Sequence, residues 1–287
     1  MSLEEVIGRR YGPYPWRVGR EKVAEFIAAT GDLPERWRDE APPGLAAAAL
    51  FAAAPRFFSD PTVVPFTRVL IHAEQRFHWF QQLRHGAELS VVGRADSVRA
   101  RRGLNFVAFT VTVAAGQDPV VESRSRFIMA DAPSGAQQSE ERALQPVRLK
   151  DTDDVPRSVP LPAAGGSMPD LHKSASRADL VRYAGATLDW NPIHWDHDSA
   201  IGAGLGGLVV HGLLMASWAM QAATRAVSSP APLLEGRFRF LRPLAAGAAC
   251  VVRSSVTGLG DGTADLRATV AGGGEDKMEA VLKARVG

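Results

Sequence analysis

The chain has 287 residues, of which 46% are hydrophobic, 22% charged and 7% aromatic. This composition excludes a disordered or fibrous chain and suffices for one large core or two ordinary ones. Thirty-three Lys and Arg against 31 Asp and Glu leave a formal charge of +2, a balance that disfavours nucleic acid as a partner. The single cysteine, Cys250, excludes an internal disulfide, which is typical of a reducing compartment. We therefore expect a cytoplasmic protein.

The sequence does not predict a signal peptide or a membrane helix. Acids and arginines occupy the N-terminal stretch where a secretory signal needs apolar residues. The most apolar window, residues 203–223, is long enough to span a bilayer, but His211, Gln221 and several glycines interrupt it. A buried helix is the better interpretation, and we expect a soluble protein without membrane contact.

The elements follow the same order twice along the chain. The first part predicts an amphipathic helix over 20–30, an Ala-rich helix over 44–54 and then strands such as FVAFTVTV. Proline, glycine and polar residues dominate 131–172, a composition typical of a connecting segment. The second part predicts helices over 177–187 and 212–226, followed by strands such as RFRFL, CVVRSSV and DLRATV.

Self-comparison indicates that the two parts are copies of one pattern. REKVAEFIAATGD, from Arg20, aligns without a gap with RADLVRYAGATLD, from Arg177, at an offset of 157. RFHWFQQLRHGAEL, from Arg76, aligns with RFRFLRPLAAGAAC, from Arg237, at an offset of 161. Each copy predicts an α+β unit with an antiparallel sheet beside one long helix. The chain thus divides into a first half, a connecting segment and a second half, with the boundaries 1–130, 131–172 and 173–287.

The densest cluster of reactive side chains is TLDWNPIHWDHD, residues 187–198. Pro192 keeps the preceding Asn191 out of the helical region, so the helix must end near Asp189. Asp189 and His194 are then on one irregular loop. A carboxylate and an imidazole on one loop suit acid-base chemistry, because histidine gains and loses a proton near neutral pH.

A second feature lies downstream, where VVHG leads into the apolar helix. A helix start offers unpaired N–H groups and the positive end of a dipole, which favour a developing oxyanion. Gly212 has no side chain to block that approach.

Together these residues resemble the MaoC-type (R)-specific enoyl-thioester hydratases and 3-hydroxyacyl-thioester dehydratases. The family signature is an Asp-x-Asn-Pro-x-His loop followed by a His-Gly helix start, and 23 positions separate Asp189 from Gly212 here. The resemblance implies that Asp189 and His194 are the catalytic pair and that the Gly212 N–H binds the thioester carbonyl. It also implies that Asn191 orders the loop. One departure is Leu188, where the family usually has glycine.

The resemblance extends more weakly over the first half. IHAEQRFHWFQQLRHGAEL and VESRSRFIM are similar to the non-catalytic partner of two-component actinobacterial fatty-acid dehydratases. It implies a double hotdog, in which two long helices are wrapped by one continuous antiparallel sheet with the site between the halves. The Ala-rich helix either leaves room there for an acyl tail or simply packs closely.

The repeat itself predicts one active site per chain, in the second half. Only 12 positions separate Asp32 from Gly44, so the first copy lacks the stretch that carries NPIH in the second. Trp37 stands where the second copy has His194, and Pro43 replaces the histidine of the His-Gly pair.

Other residues are assigned from their place in this pattern. We predict substrate binding by Asn191, His211, Arg237 and Arg239. The two arginines could meet the phosphates of coenzyme A or the acidic face of an acyl carrier protein, although alternating charges on an outer strand face are usually just solvated.

Two further patterns point to different chemistry. His194, Asp196, His197 and Asp198 are residue types that ligate zinc or non-haem iron. No second ligand cluster is evident, so we predict no metal and no cofactor besides the thioester carrier. Residues 202–207 match GxGxxG, but no apolar strand precedes them and a turn is the better interpretation. Four histidines fit no motif, namely His72, His78, His85 and His172.

The leading hypothesis is a hydro-lyase acting on (R)-3-hydroxyacyl or trans-2-enoyl thioesters. The alternatives are a hotdog thioesterase and an acyl-thioester-binding subunit without turnover. Chain length, the choice between coenzyme A and acyl carrier protein, the physiological direction and the division of labour within the pair stay open. The pseudo-dimeric chain could also pair again as a homodimer.

Overall fold

A computed structural model describes residues 2–131, 154–227 and 233–286. Within them, ten strands form one sheet in the order β1-β3-β4-β5-β2-β7-β10-β9-β8-β6, and all neighbours are antiparallel. The strands are β1 (Arg10–Arg17), β2 (Val69–Trp79), β3 (Glu88–Arg101), β4 (Leu104–Ala115), β5 (Asp118–Ala130), β6 (Ser167–Lys173), β7 (Leu233–Phe240), β8 (Cys250–Gly260), β9 (Thr263–Gly272) and β10 (Glu275–Arg285).

In each half the described α-helices lie between the first and the second strand of that half. The α-helices are α1 (Arg20–Thr30), α2 (Ala46–Phe58), α3 (Arg177–Thr187), α4 (His197–Gly202) and α5 (Gly212–Thr224). Short 3₁₀ turns cover Leu3–Val6, Pro34–Arg36, Pro43–Leu45, Val64–Phe66 and Pro192–His194. None of the described helices is long and apolar enough to cross a membrane.

The strand order has a centre of pseudo-symmetry between β2 and β7. Each strand of the first half has its counterpart at the same distance from the centre in the second half. Arg76 pairs directly with Arg237 across this junction, and these two residues also head the repeated segments aligned at an offset of 161. The α+β double hotdog predicted from the sequence is therefore confirmed.

The long helices are buried because one continuous sheet wraps them. In α5 each residue from Leu213 to Thr224 is buried, which explains an apolar sequence on all sides of the helix. In α2 the alanines other than Ala52 are buried as well, so these small side chains allow close packing. The shorter helices α1 and α3 pack against each other, with the Phe26 and Tyr183 rings 5.9 Å apart.

Three element boundaries differ from the sequence prediction. The predicted helix 44–54 is a 3₁₀ turn followed by α2, and the second apolar helix ends at Thr224. The predicted connecting segment contains strand β6, which pairs with β8 as β1 pairs with β3. Met168 and Leu171 of β6 are buried, and their apolar contacts outweigh the proline and glycine around them. Residues 132–153 of that segment lie outside the described residues.

Candidate active site

The loop after α3 is shaped by its local sequence. The helix ends at Thr187, and Leu188 adopts a left-handed conformation with φ of 65°. Asn191 caps the following 3₁₀ turn, since its side chain accepts a hydrogen bond from the Ile193 N–H at 3.4 Å. The loop thus ends the helix at Thr187 and turns the Asp189 side chain inward. The Asn191 side chain orders the backbone of the loop through its hydrogen bond to Ile193.

Leu188 occupies a backbone conformation that favours glycine. At the equivalent position the first half has Gly31, which caps α1 with φ of 61°. A side chain at positive φ costs about 1 kcal/mol. We expect Leu188→Gly to raise the Tm by roughly 2–4 °C, measured by thermal unfolding beside the wild type. An unchanged or lower Tm would show that the half-exposed Leu188 side chain contributes more than its backbone strain costs.

Three ionisable side chains meet below this loop. Asp189, His194 and His211 each offer one atom to a group in which all these atoms lie within 4.8 Å of one another. Their exposed fractions are 8%, 7% and 0%. The structure therefore brings together the two residues predicted as the catalytic pair, and it adds His211 to them.

The hydrogen bonds of His194 define how its ring can act. Nδ1 lies 2.8 Å from the Val209 carbonyl oxygen. Because a carbonyl only accepts, Nδ1 carries the proton and Nε2 keeps a free lone pair. Burial lowers the pKa of His194 to about 4, against the opposing effect of the Val209 hydrogen bond. The ring is therefore neutral at neutral pH and presents a basic nitrogen.

Asp189 has the opposite perturbation. Burial raises the pKa of its carboxyl group to about 7, although the Asn191 backbone acts to lower it. A carboxyl group with this pKa is substantially protonated at neutral pH, unlike an exposed aspartate. The loop thus holds a proton donor beside a proton acceptor, an arrangement typical of acid-base sites.

His211 supports the other two residues from inside the fold. Its Nε2 lies 3.2 Å from the Asp189 carbonyl oxygen, and its ring stacks on that of His194 at 3.7 Å. Burial, and secondarily His194, lower the pKa of His211 well below its ordinary value. The sequence predicted a substrate-binding residue here. The structure gives this fully buried histidine contacts that position the loop, and its role in substrate binding stays a prediction.

Gly212 is the first residue of α5. A Cβ atom at this position would lie 3.1 Å from the Phe240 ring, so a larger residue would displace that ring. The Gly212 N–H lies in the first turn, where no intrahelical acceptor is available. The position therefore suits the oxyanion role predicted for it, with an N–H group beside the buried His211.

Arg237 and Arg239 do not lie with these residues. On β7 they alternate with the buried Phe238, so they point away from the helices, to the outer face of the sheet. There Arg237 donates to Glu74 at 2.7 Å and Arg239 to Glu279 at 3.3 Å. Their predicted substrate-binding role is not supported, because strand alternation and these ion pairs keep them on the solvated face.

The first half uses the equivalent aspartate to hold its own structure. Asp32 accepts hydrogen bonds from the Trp37 indole N–H at 3.0 Å, the Arg36 guanidinium at 3.1 Å and the Leu33 N–H at 2.8 Å. The Asp32 carboxylate is thus occupied by structural donors. This arrangement agrees with the prediction that only the second half carries an active site.

The group of Asp189, His194 and His211 also has the composition of a metal site. Metal-binding nitrogens direct lone pairs within their ring planes toward a shared ion. The two imidazoles are instead stacked, with 24° between their planes, so their lone pairs run side by side rather than converge. His194 and His211 also already contact backbone carbonyls through one nitrogen each. The geometry favours an acid-base role over a metal centre.

Comparisons with known proteins agree with this architecture. A family described as MaoC like domain matches residues 154–276, and one described as FAS1-like, dehydratase domain region, matches residues 5–123. A solved MaoC-like dehydratase shares 22% identity, covers 100% of both chains and superposes with a TM-score of 0.84. A Mycobacterium tuberculosis protein described as a double hotdog covers 99% of this chain and 98% of its own, with 14% identity and a TM-score of 0.70.

Fold and domain matches together define a MaoC-like double-hotdog protein. Among sequence relatives, a UPF0336 protein of Streptomyces coelicolor is 30% identical over 118 residues, which cover 36% of this chain and 78% of the relative. A UPF0336 protein of Saccharopolyspora erythraea is 31% identical, covering 47% of this chain and 98% of the relative. The chain belongs to the UPF0336 family.

Proposed function

We propose that the protein is a hydro-lyase that interconverts (R)-3-hydroxyacyl and trans-2-enoyl thioesters. The observation that carries this proposal is the buried grouping of the Asp189 carboxyl group with His194, whose Nδ1 is fixed on the Val209 carbonyl. The two dehydratase-type domain matches support the same class of reaction. The carrier of the thioester is coenzyme A or an acyl carrier protein.

In the dehydration direction, His194 Nε2 removes a proton from the carbon next to the thioester carbonyl. The Gly212 N–H stabilises the negative charge that develops on the carbonyl oxygen. Asp189 donates its proton to the hydroxyl group at C3, the C–O bond breaks, and water leaves as the C=C bond forms. His194 then carries the proton taken from the substrate carbon and Asp189 is ionised, so transfer of that proton from His194 to Asp189, directly or through water, resets the pair.

The reverse reaction uses the same groups. A water molecule adds to C3 of the enoyl thioester and gives a proton to the Asp189 carboxylate, while protonated His194 supplies the proton at the neighbouring carbon. Both directions need one proton donor and one acceptor in contact, and the opposite pKa shifts of Asp189 and His194 prepare both.

The alternatives from the sequence fit this site less well. A thioesterase needs a nucleophile or activated water aimed at the thioester carbon and does not require the Asn-Pro-Ile-His loop. A binding subunit without turnover would not need two buried, oppositely perturbed acid-base groups, whose desolvation costs stability.

The test is the absorbance of the enoyl-thioester band when the purified protein is mixed with crotonyl-CoA or a longer trans-2-enoyl-CoA. We expect loss of the band, and chiral analysis should find the (R)-3-hydroxy product. Release of free thiol without hydration would identify a thioesterase instead. Binding without any reaction on either substrate, or on the corresponding acyl carrier protein thioester, would overturn the proposal in favour of a binding subunit.

A further inference from the structure

One ring nitrogen of His72, in the first half of the chain, is buried among apolar side chains. His72 lies on β2, between the rings of Phe127 at 4.9 Å and Phe240 at 5.1 Å. Its Nε2 atom is buried and has no hydrogen-bond partner among the residues that the structure describes. An unpaired polar atom beside two phenyl rings destabilises a fold, so a leucine here would be expected if packing alone were selected.

Phe240 connects this histidine to the site of the second half. The Phe240 ring contacts His72 on one side. Atoms of the same ring lie 3.1 Å from the position that a Cβ atom would take at Gly212. His72 and Gly212 thus approach the same ring from different halves of the chain, and Gly212 is the residue that offers its N–H to the thioester carbonyl.

The pseudo-symmetry relates His72 and Phe240 to an equivalent pair of residues on the other side of the central strands. The offset of 161 that relates Arg76 to Arg237 also relates His72 to Leu233 and Trp79 to Phe240. On the first-half side, Trp79 and Leu233 line a cavity of about 90 Å³, together with Pro43 from the turn before α2. Beside Gly212 the corresponding pair is Phe240 and His72, so a histidine stands there in place of the leucine that lines the cavity on the first-half side.

We propose that His72 is a substrate-positioning residue supplied by the first half to the active site of the second half. Its Nε2 atom hydrogen-bonds a polar group of the bound acyl thioester near the carbonyl end. This inference rests on the proposed function for the identity of the ligand. It gives the first half a direct part in binding, although that half holds no catalytic pair.

The charge state of the ring agrees with hydrogen bonding rather than ion pairing. Burial lowers the pKa of His72 to about 4, while the Gln75 side chain and the Glu74 backbone act in the opposite direction. A neutral imidazole has one donor and one acceptor nitrogen. Such a ring can hydrogen-bond an uncharged group, such as a pantetheine amide or the 3-hydroxyl of the substrate.

The decisive variant is His72→Leu, because leucine is the residue that the fold already accepts at the equivalent position. The KM for crotonyl-CoA and the calorimetric Kd for the unreactive butyryl-CoA should both rise about five- to tenfold, the effect of one hydrogen bond. The kcat should change less than threefold. His72→Gln, whose amide can replace Nε2, should restore much of the affinity. His78→Leu, on the exposed part of the same strand, is the matched control and should leave both constants unchanged.

A second arm identifies the ligand group. In an Asp189→Asn background, Kd values for butyryl-CoA and (R)-3-hydroxybutyryl-CoA are compared with and without His72→Leu. An equal loss places the hydrogen bond on the carrier arm or thioester, and a loss confined to the hydroxy compound places it on the 3-hydroxyl.

The outcomes separate this inference from the proposed function. Unchanged KM for crotonyl-CoA and unchanged Kd values for both butyryl-CoA and (R)-3-hydroxybutyryl-CoA in His72→Leu, with a wild type that turns over crotonyl-CoA, overturn the role of His72 alone. Absence of turnover in the wild type, with butyryl-CoA binding that depends on His72, overturns the proposed function and leaves the binding role standing. A wild type that binds no acyl-CoA and no acyl carrier protein thioester overturns both.

Discussion

His194→Ala is expected to lower kcat/KM for enoyl-thioester hydration by about 10²- to 10⁴-fold. The variant removes the Nε2 atom that His194 presents as a base, while the Val209 carbonyl loses one hydrogen-bond donor. Both losses are local, so the far-UV circular dichroism and the Kd for butyryl-CoA should stay close to those of the wild type. The measurement is steady-state turnover of crotonyl-CoA with binding determined in parallel.

The control for this variant is a histidine of similar chemistry in a different place. His172 lies on β6 and pairs with Asp154 at 2.8 Å, with two thirds of its side chain exposed. His172→Ala should retain wild-type turnover. If His194→Ala kept more than a tenth of the wild-type rate, His194 would have no proton-transfer role. A loss that appeared equally in His172→Ala would indicate a general effect on stability.

Local sequence was sufficient to predict the end of α3, because Pro192 and the turn-forming residues around it act over a few positions. The repeat was sufficient to predict two matching units, whereas the absence of an active site from the first half stays a prediction. Strand β6 was not predictable in this way. Its pairing with β8 depends on a contact between residues about 85 positions apart, which neither composition nor alternation in a seven-residue segment reveals.

The site shows the same division between local and distant effects. Asp189 and His194 are five residues apart, so a motif could associate them. His211 joins them only because the chain returns to the start of α5, where its ring meets that of His194. For Arg239 the sequence shows a positive charge but not which face of β7 it occupies, and the structure places it on the outer face beside Glu279. His72 belongs to the other half, and no spacing along the chain relates it to Gly212.

Asp189→Asn should separate activity from stability. The amide cannot donate the acidic proton, so turnover should fall about 10²- to 10⁴-fold. The stability of the folded protein should increase, in contrast, at pH values where the wild-type carboxyl group ionises. Burial raises the folded-state pKa of Asp189 from 3.8 to about 7, so the folded protein retains a proton that the unfolded chain has lost between these pH values. Wild-type stability therefore decreases as the pH rises through this window, by on the order of 4 kcal/mol, and the loss persists above it.

The variant has no carboxyl group to ionise at this position. Its Tm should exceed that of the wild type at pH 8, and the difference should shrink progressively toward pH 4. Thermal unfolding from pH 4 to 8 measures it, and parallel Tm profiles would contradict a raised pKa for Asp189.

Asp32→Asn provides the matched comparison, because Asp32 occupies the equivalent position in the first half. Its carboxylate accepts from Trp37, Arg36 and Leu33, and an amide would turn an NH₂ group toward one of these donors. This variant should lower the Tm at both pH 5 and pH 8. Asp-to-Asn substitution thus stabilises the fold at Asp189, where the carboxyl group is buried for proton transfer. It destabilises the fold at Asp32, where the carboxylate accepts structural hydrogen bonds.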